Sequence, residues 1–137
     1  MNYLLDTNAC IALINGKPPT VSTKFQKAID GGEKVFVSSI ALFELWYGVA
    51  KSARQEFNRK RLEAFFAGPV EPLAFEVGDA ETAGAIRADL ESLGTPIGAY
   101  DLLIAGQATR RKLRLITANL SEFARVKALA WTDWAKP

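Results

Sequence analysis

Short apolar runs along this chain stop abruptly at polar residues that start helices, and that alternation predicts the fold. Tyr3-Leu4-Leu5 ends at Asp6-Thr7-Asn8, after which Ala9 to Ile14 stays apolar until Asn15-Gly16. This is the pattern of a strand, a cap and a helix. Beyond the linker Lys17-Pro18-Pro19-Thr20, Val21 to Asp30 reads as a second helix closed by Gly31-Gly32. Val35-Phe36-Val37 is a compact buried strand that stops at Ser38-Ser39, and a helix follows from Ile40 to Ala50. The next helix, Arg54 to Ala67, sets Phe57, Leu62, Phe65 and Phe66 on one side and is stopped by Gly68-Pro69.

Val70 to Leu73 holds Pro72, which suits an edge strand. Glu76 to Leu93 is a long helix with Ala80, Ala83, Ile86, Leu90 and Leu93 at helical spacing, which leaves Asp79, Glu81, Asp89 and Glu91 as its solvated face. Gly94 to Gly98 turns the chain into a helix from Asp101 to Arg111. Leu113 to Thr117 is the last clear strand, and a short extended piece near Ala128 to Trp131 follows. Strands alternating with helices predict an α/β fold with a parallel sheet covered on both faces. Ligands of such folds sit beyond the carboxyl ends of the strands, at the switch point. Asp6, Ser38 and Asn119 each follow a strand and therefore meet at one rim.

Composition narrows the chemistry. The 137 residues, 49% of them apolar, suffice for one domain with one core. No apolar run reaches the roughly 18 residues of a membrane span, and an acid at position 6 without a basic start is not a signal peptide. The single cysteine, Cys10, lies in an apolar stretch and is expected as a buried reduced thiol, so the cytoplasm is the expected compartment. Seventeen Lys and Arg against fifteen Asp and Glu leave +2. The basic residues gather in Lys51 to Arg61 and in Arg110-Arg111-Lys112 with Arg114, which permits a polyanionic partner but equally suits solvated helix faces. There is no histidine. The commonest acid/base and the imidazole metal sites are thereby excluded, and zinc with them. Hydrolytic chemistry would fall to carboxylates holding a hard cation such as Mg²⁺ or Mn²⁺.

Three carboxylates stand out. Asp6 ends the first strand; its structural role would be a helix cap, although Thr7 and Asn8 could cap as well. Glu44 is the lone acid in the apolar helix Ile40–Val49, where burial would demand a cation, a proton or an ion pair with Lys51 or the following helix. Asp101 opens a helix behind Gly98, a position the helix dipole favours by itself. Asn119 follows the last clear strand, where a turn residue is also natural. Converging to about 5 Å, Asp6, Glu44 and Asp101 would repel by roughly 3 kcal/mol per pair, so such a cluster needs protons or a divalent cation. A large apolar set on the two central helices (Leu42, Phe43, Trp46, Phe57, Phe65 and Phe66) further predicts a surface for another chain.

Taken together these stretches resemble the PIN domain and, within it, the VapC toxins of bacterial toxin–antitoxin pairs. The resemblance is carried by Leu4-Leu5-Asp6-Thr7-Asn8 with Ile11, by Ser38-Ser39-Ile40 with Glu44, Tyr47 and Gly48, by Pro96-Ile97-Gly98 with Asp101, Ile104 and Ala105, and by Ile116-Thr117-Ala118-Asn119 with Glu122-Phe123. It spans Asn2 to about Trp134, so residues 1–137 are expected to be a single PIN domain. It implies a three-layer α/β/α sandwich around a mostly parallel sheet of about five strands. It implies a Mg²⁺-dependent endoribonuclease, with Mn²⁺ as a substitute, that cleaves a translation-related RNA such as tRNA or rRNA and inhibits translation. Position by position, Asp6, Asp101 and Glu44 would hold the metal. Asn119 falls where many PIN domains carry a fourth acid, and Thr7 and Thr117 would orient the ligands. The implied partners are a VapB-like antitoxin lying along a helical groove, the RNA substrate and a second copy in a homodimer. A non-catalytic PIN-like RNA-binding module is the alternative, and lost acids would be its mark. A haloacid-dehalogenase-like domain would want a second Asp where Asn8 stands. A receiver domain would want an acidic pair and a late Lys that are absent, and a flap nuclease a longer chain.

Overall fold

In the computed structural model, which describes residues 1–137, the strand Tyr3–Leu5 (β1) occupies the middle of the sheet. Its Leu4 and Leu5 are fully buried, which suits a strand covered on both faces. Helices Thr7–Asn15 (α1) and Pro19–Asp30 (α2) lead to the strand Val35–Ser38 (β2). Helices Ser39–Lys51 (α3) and Gln55–Phe66 (α4) then lead to the edge strand Glu71–Leu73 (β3). The long pair Val77–Ser92 (α5) and Ala99–Arg111 (α6) precedes Arg114–Ile116 (β4), and the one-turn helix Leu120–Phe123 (α7) precedes Trp131–Thr132 (β5). The order across the sheet is β3-β2-β1-β4-β5, with every neighbouring pair parallel. The chain runs outward from β1 to one edge and returns to build the other, so the switch point lies at the carboxyl end of β1, at Asp6. One cluster of 25 buried residues spans the sheet and its helices. Cys10 belongs to it as the expected buried thiol. No helix is long and apolar enough to cross a membrane.

The expected strands and long helices form close to where the apolar pattern placed them. The last strand, however, lies at Trp131–Thr132 rather than near Ala128 to Trp131, and α7 is an element the pattern did not predict. Three further departures concern which side chains are buried. Asp79 is not on a solvated face: it is 0% exposed, while Glu81, Asp89 and Glu91 are exposed as expected. The inward stripe of α5 is Asp79, Ala83, Ile86 and Leu90, one residue off the expected Ala80, and Leu93 is exposed. Asp79 can be buried because Arg110 and Arg111 reach its two carboxylate oxygens at 2.9 and 3.2 Å. It also closes a capping box with Glu76 at the start of α5. Much of the second basic cluster therefore serves the α5–α6 contact rather than an open surface.

The second departure is α3, whose apolar sequence does not make it a core helix. Only Ala41, Leu45 and Val49 are buried, and Phe43 and Tyr47 face solvent. The third concerns α4, where Phe65 and Phe66 pack against the core but Phe57 is exposed beneath the Arg54 guanidinium. Removing the Phe65 ring therefore tests folding, not partner binding. Trp46, half-exposed under Arg59, is the better surface probe.

Candidate active site

Four strands end at one rim, and each delivers a polar group to it. Beyond β1, Asp6 caps α1: its Oδ1 accepts the Ala9 amide at 2.7 Å, so the expectation that Thr7 or Asn8 would cap in its stead fails. Capping uses one lone pair of one oxygen and leaves the carboxylate otherwise available. Ser38, at the end of β2, is buried and caps α3 through the Ile40 amide. Beyond β4, Thr117 hydrogen-bonds to Asp6 and accepts the Asn119 amide at 2.9 Å. Beyond β5, Asp133 lies close enough for its charge to act on Asp6.

Helices add the remaining acids. Glu44, one turn into α3, accepts the Thr7 hydroxyl at 2.7 Å. It makes no ion pair, so the structural pairing with Lys51 or α4 is absent. Nor is it fully buried, and its charge does not by itself demand a cation. Asp101 lies in the first turn of α6 and meets Glu122 from the one-turn helix α7. Asn119 bridges them, its Nδ2 donating to Asp101 Oδ2 and to Glu122 Oε2 at 3.2 Å each. Asn119 thus presents its donor end to the acids, and its carbonyl accepts from Ser121. Gly98 contributes its amide, which donates to Glu122 at 3.1 Å. A side chain at 98 would meet only ordinary contacts, so the glycine is not there for close approach.

The electrostatics show how crowded the rim is. Burial pushes the Asp6 carboxyl up against the hydrogen bonds of Thr117 and Ala9, and the charges of Glu44 and Asp133 add to the rise. Burial, then the facing Glu122 carboxyl, and then the charges of Asp6 and Glu44 push Asp101 up to about 7. Its hydrogen bond to Asp101 holds Glu122 below the usual range, aided by Gly98 and Asn119. The two carboxyls thus share one proton at moderate pH. Glu122 is the acid that sequence reasoning left without a role, and Asp133 is a second. One stands on a four-residue helix and the other behind a two-residue strand, elements too short to show a periodicity.

No three acidic side chains close on a single point, so the expected convergence of Asp6, Glu44 and Asp101 is looser than a finished metal cage. The tight acidic contact is Asp101 with Glu122. The donor chemistry nevertheless fits a hard divalent cation: every ligand on the rim is an oxygen, and the acids carry more negative charge than local partners offset.

A pH dependence follows for the metal-free protein. Folded Asp101 holds its proton to about 7, whereas the unfolded group releases it near 3.8. Between those values the folded state binds more protons, so stability falls as pH rises through that window. In EDTA the melting temperature should be higher at pH 5 than at pH 8, and Asp101→Asn should flatten most of that difference. A slope unchanged in the variant would assign it to other groups.

A sequence profile of the PIN domain matches residues 3–129. The chain is 39% identical over 134 residues to the tRNA(fMet)-specific endonuclease VapC of Salmonella typhimurium, covering 98% of both chains. It is 36% identical over 136 residues to ribonuclease VapC2 of Rickettsia felis, covering 99% of this chain and 100% of that one. The crystal structure of VapBC2 from Rickettsia felis bound to a promoter DNA fragment superposes with a TM-score of 0.91 at 35% identity, covering 98% of this chain and 99% of that one.

Proposed function

This chain belongs to the PIN-domain family, in its VapC branch, and on that premise we propose that it is the toxin of a type II toxin–antitoxin pair, an endoribonuclease acting on a translation-related RNA. The observation that carries the proposal is the rim itself: Asp6, Glu44, Asp101 and Glu122 brought to the switch point of a parallel sheet, with no imidazole among them. A VapC relative named for cleaving tRNA(fMet) supports tRNA as the substrate class. The non-catalytic alternative would require lost acids, and the acids are present.

In this reading Asp6, Asp101 and Glu44 hold Mg²⁺, with Mn²⁺ able to substitute. When bound, such an ion lowers the pKa of a water and offsets charge developing on the phosphoryl oxygens. The protein's own groups prepare the site. Thr7 fixes the Glu44 carboxylate and Thr117 that of Asp6, each by one hydroxyl. Asn119 holds Asp101 and Glu122 side by side, and the proton that Asp101 carries in the metal-free protein leaves when the carboxylate takes the ion.

The partner is a VapB-like antitoxin, and the groove between α1, α3 and α4 suits its tail. Ile11, Ile14, Leu45, Val49 and Leu62 line a cleft of about 180 Å³ that runs up to Glu44. An arginine from that tail could meet the acids there bidentately and inhibit without a change of fold. The cytoplasm is the proposed compartment and a homodimer the proposed state. Induced alone in a bacterial host, the chain should arrest growth and protein synthesis, and co-expression with a small antitoxin from the adjacent reading frame should restore both. Normal growth and intact tRNA during strong expression of the soluble protein would contradict the reading.

A further inference from the structure

From the aromatic wall beside the acids we infer that this chain holds an unpaired base of its RNA substrate by stacking, in a cleft between α1, α3 and the start of α6. The inference rests on the ribonuclease reading above and adds a substrate-positioning role for residues outside the acidic set. Phe43 directly precedes Glu44 on α3, and Tyr100 directly precedes Asp101 on α6. Their rings meet across the two helices, 5.6 Å apart and inclined at 65°. Neither is a core residue: Phe43 is 55% exposed and Tyr100 47%. Tyr47 is 58% exposed, and the Lys51 ammonium sits 4.9 Å above its ring. The four side chains surround a cleft of about 610 Å³ on which Thr7 and Glu44 also open.

The chemistry of that cleft selects its occupant. A polyanion approaching Asp6, Glu44 and Asp101 is repelled, so binding energy next to the acids must come from uncharged contacts or from a cation. Ring stacking supplies the first, because every base has a π-face, and Lys51 supplies the second for a neighbouring phosphate. Bases inside a duplex are not available to such a wall, whereas those of a loop or single strand are. A stacked base in this cleft would bring an adjoining phosphodiester over the Glu44–Asp101 side of the rim. The rings would therefore select unpaired RNA without selecting one sequence.

The test uses full-length protein carrying Asp101→Asn to block cleavage, and a short single-stranded RNA containing 2-aminopurine. Binding should quench the fluorophore. Phe43→Leu and Tyr100→Leu, which keep apolar bulk without a ring, should weaken binding roughly five- to hundredfold and abolish quenching. Phe43→Tyr and Tyr100→Phe should retain both. Leu variants that melt like their parent yet bind and quench unchanged would overturn the inference. So would equal sensitivity of a duplex RNA, or variants that shift only the mass of the particle by light scattering, which would assign the rings to a contact between copies. Cleavage of RNA by the unmutated chain is read separately on gels: quenching without any cleavage would remove the nuclease reading and leave the stacking site supported.

Discussion

Asp101→Asn should lower RNA cleavage by at least about a hundredfold while leaving the fold intact. The substitution keeps shape and removes one charge. Two consequences follow at the rim. The Asn119 Nδ2 donor loses its carboxylate acceptor, and Glu122 loses the partner with which it shares a proton. Both disturb the site without removing buried apolar surface. Repulsion from Asp6, Glu44 and Glu122 falls, so in EDTA at pH 8 the variant should melt no lower than the parent. Initial rates on a tRNA substrate, together with thermal melts, decide the matter. A variant that cleaves at the parental rate would take Asp101 out of the chemistry, and one that melts well below its parent would make it a structural residue.

Asp79→Ala should damage the fold as much as truncating a core side chain, costing about 3 kcal/mol, the low end of the range for breaking a buried ion pair. The low end applies because Arg110 and Arg111 remain 39% and 23% exposed and can return to water. The loss has two parts: the contacts to two guanidinium groups, and the bond from the Glu76 amide that closes half of the cap starting α5. Gly78 is part of the arrangement, because any side chain there would collide with the Arg110 guanidinium. The melting temperature should fall by about 10 °C. Asp89→Ala, on the exposed face of the same helix, should shift stability by less than about 0.5 kcal/mol. The pH response has a definite sign. Burial raises the Asp79 carboxyl, but the Glu76 amide and the two arginines outweigh it and hold it below the usual range. Its stabilisation is therefore present above about 3.8 and is lost as pH falls below that value through the folded one. If Asp79→Ala and Asp89→Ala melt alike, the network does not support the fold.

Periodicity and punctuation made the sheet legible. Apolar runs of three or four residues ending at Asp6, Ser38 and Thr117 located the strands that reach the rim, and the alternation with helices specified parallel pairing. Asp79 was misread because a helix with four acids at regular spacing looks solvated whether or not one of them turns inward. A shift of one residue in the stripe buried it, and only the arginines thirty-odd positions later make that burial tolerable. Glu44 was singled out for the right place and the wrong reason. Its helix is apolar because it shows rings to the surface, not because the helix is buried. Asp133 escaped, and Glu122 was named in a motif but given no role, because what positions them is tertiary: a two-residue strand and a single helical turn carry no periodicity of their own. The pairing of Phe43 with Tyr100 was equally invisible, since each ring is ordinary until α3 and α6 are set side by side.

In the proposed mechanism an oxygen-only acidic rim performs cation-dependent cleavage of RNA. The most direct measurement incubates purified protein, freed of any partner, with tRNA, and follows discrete products on a denaturing gel. Mg²⁺ should yield specific fragments, excess EDTA should abolish them, and added Mg²⁺ or Mn²⁺ should restore them. Undiminished cleavage in excess EDTA, or uncut RNA at every divalent-ion concentration with folded protein, would contradict the account.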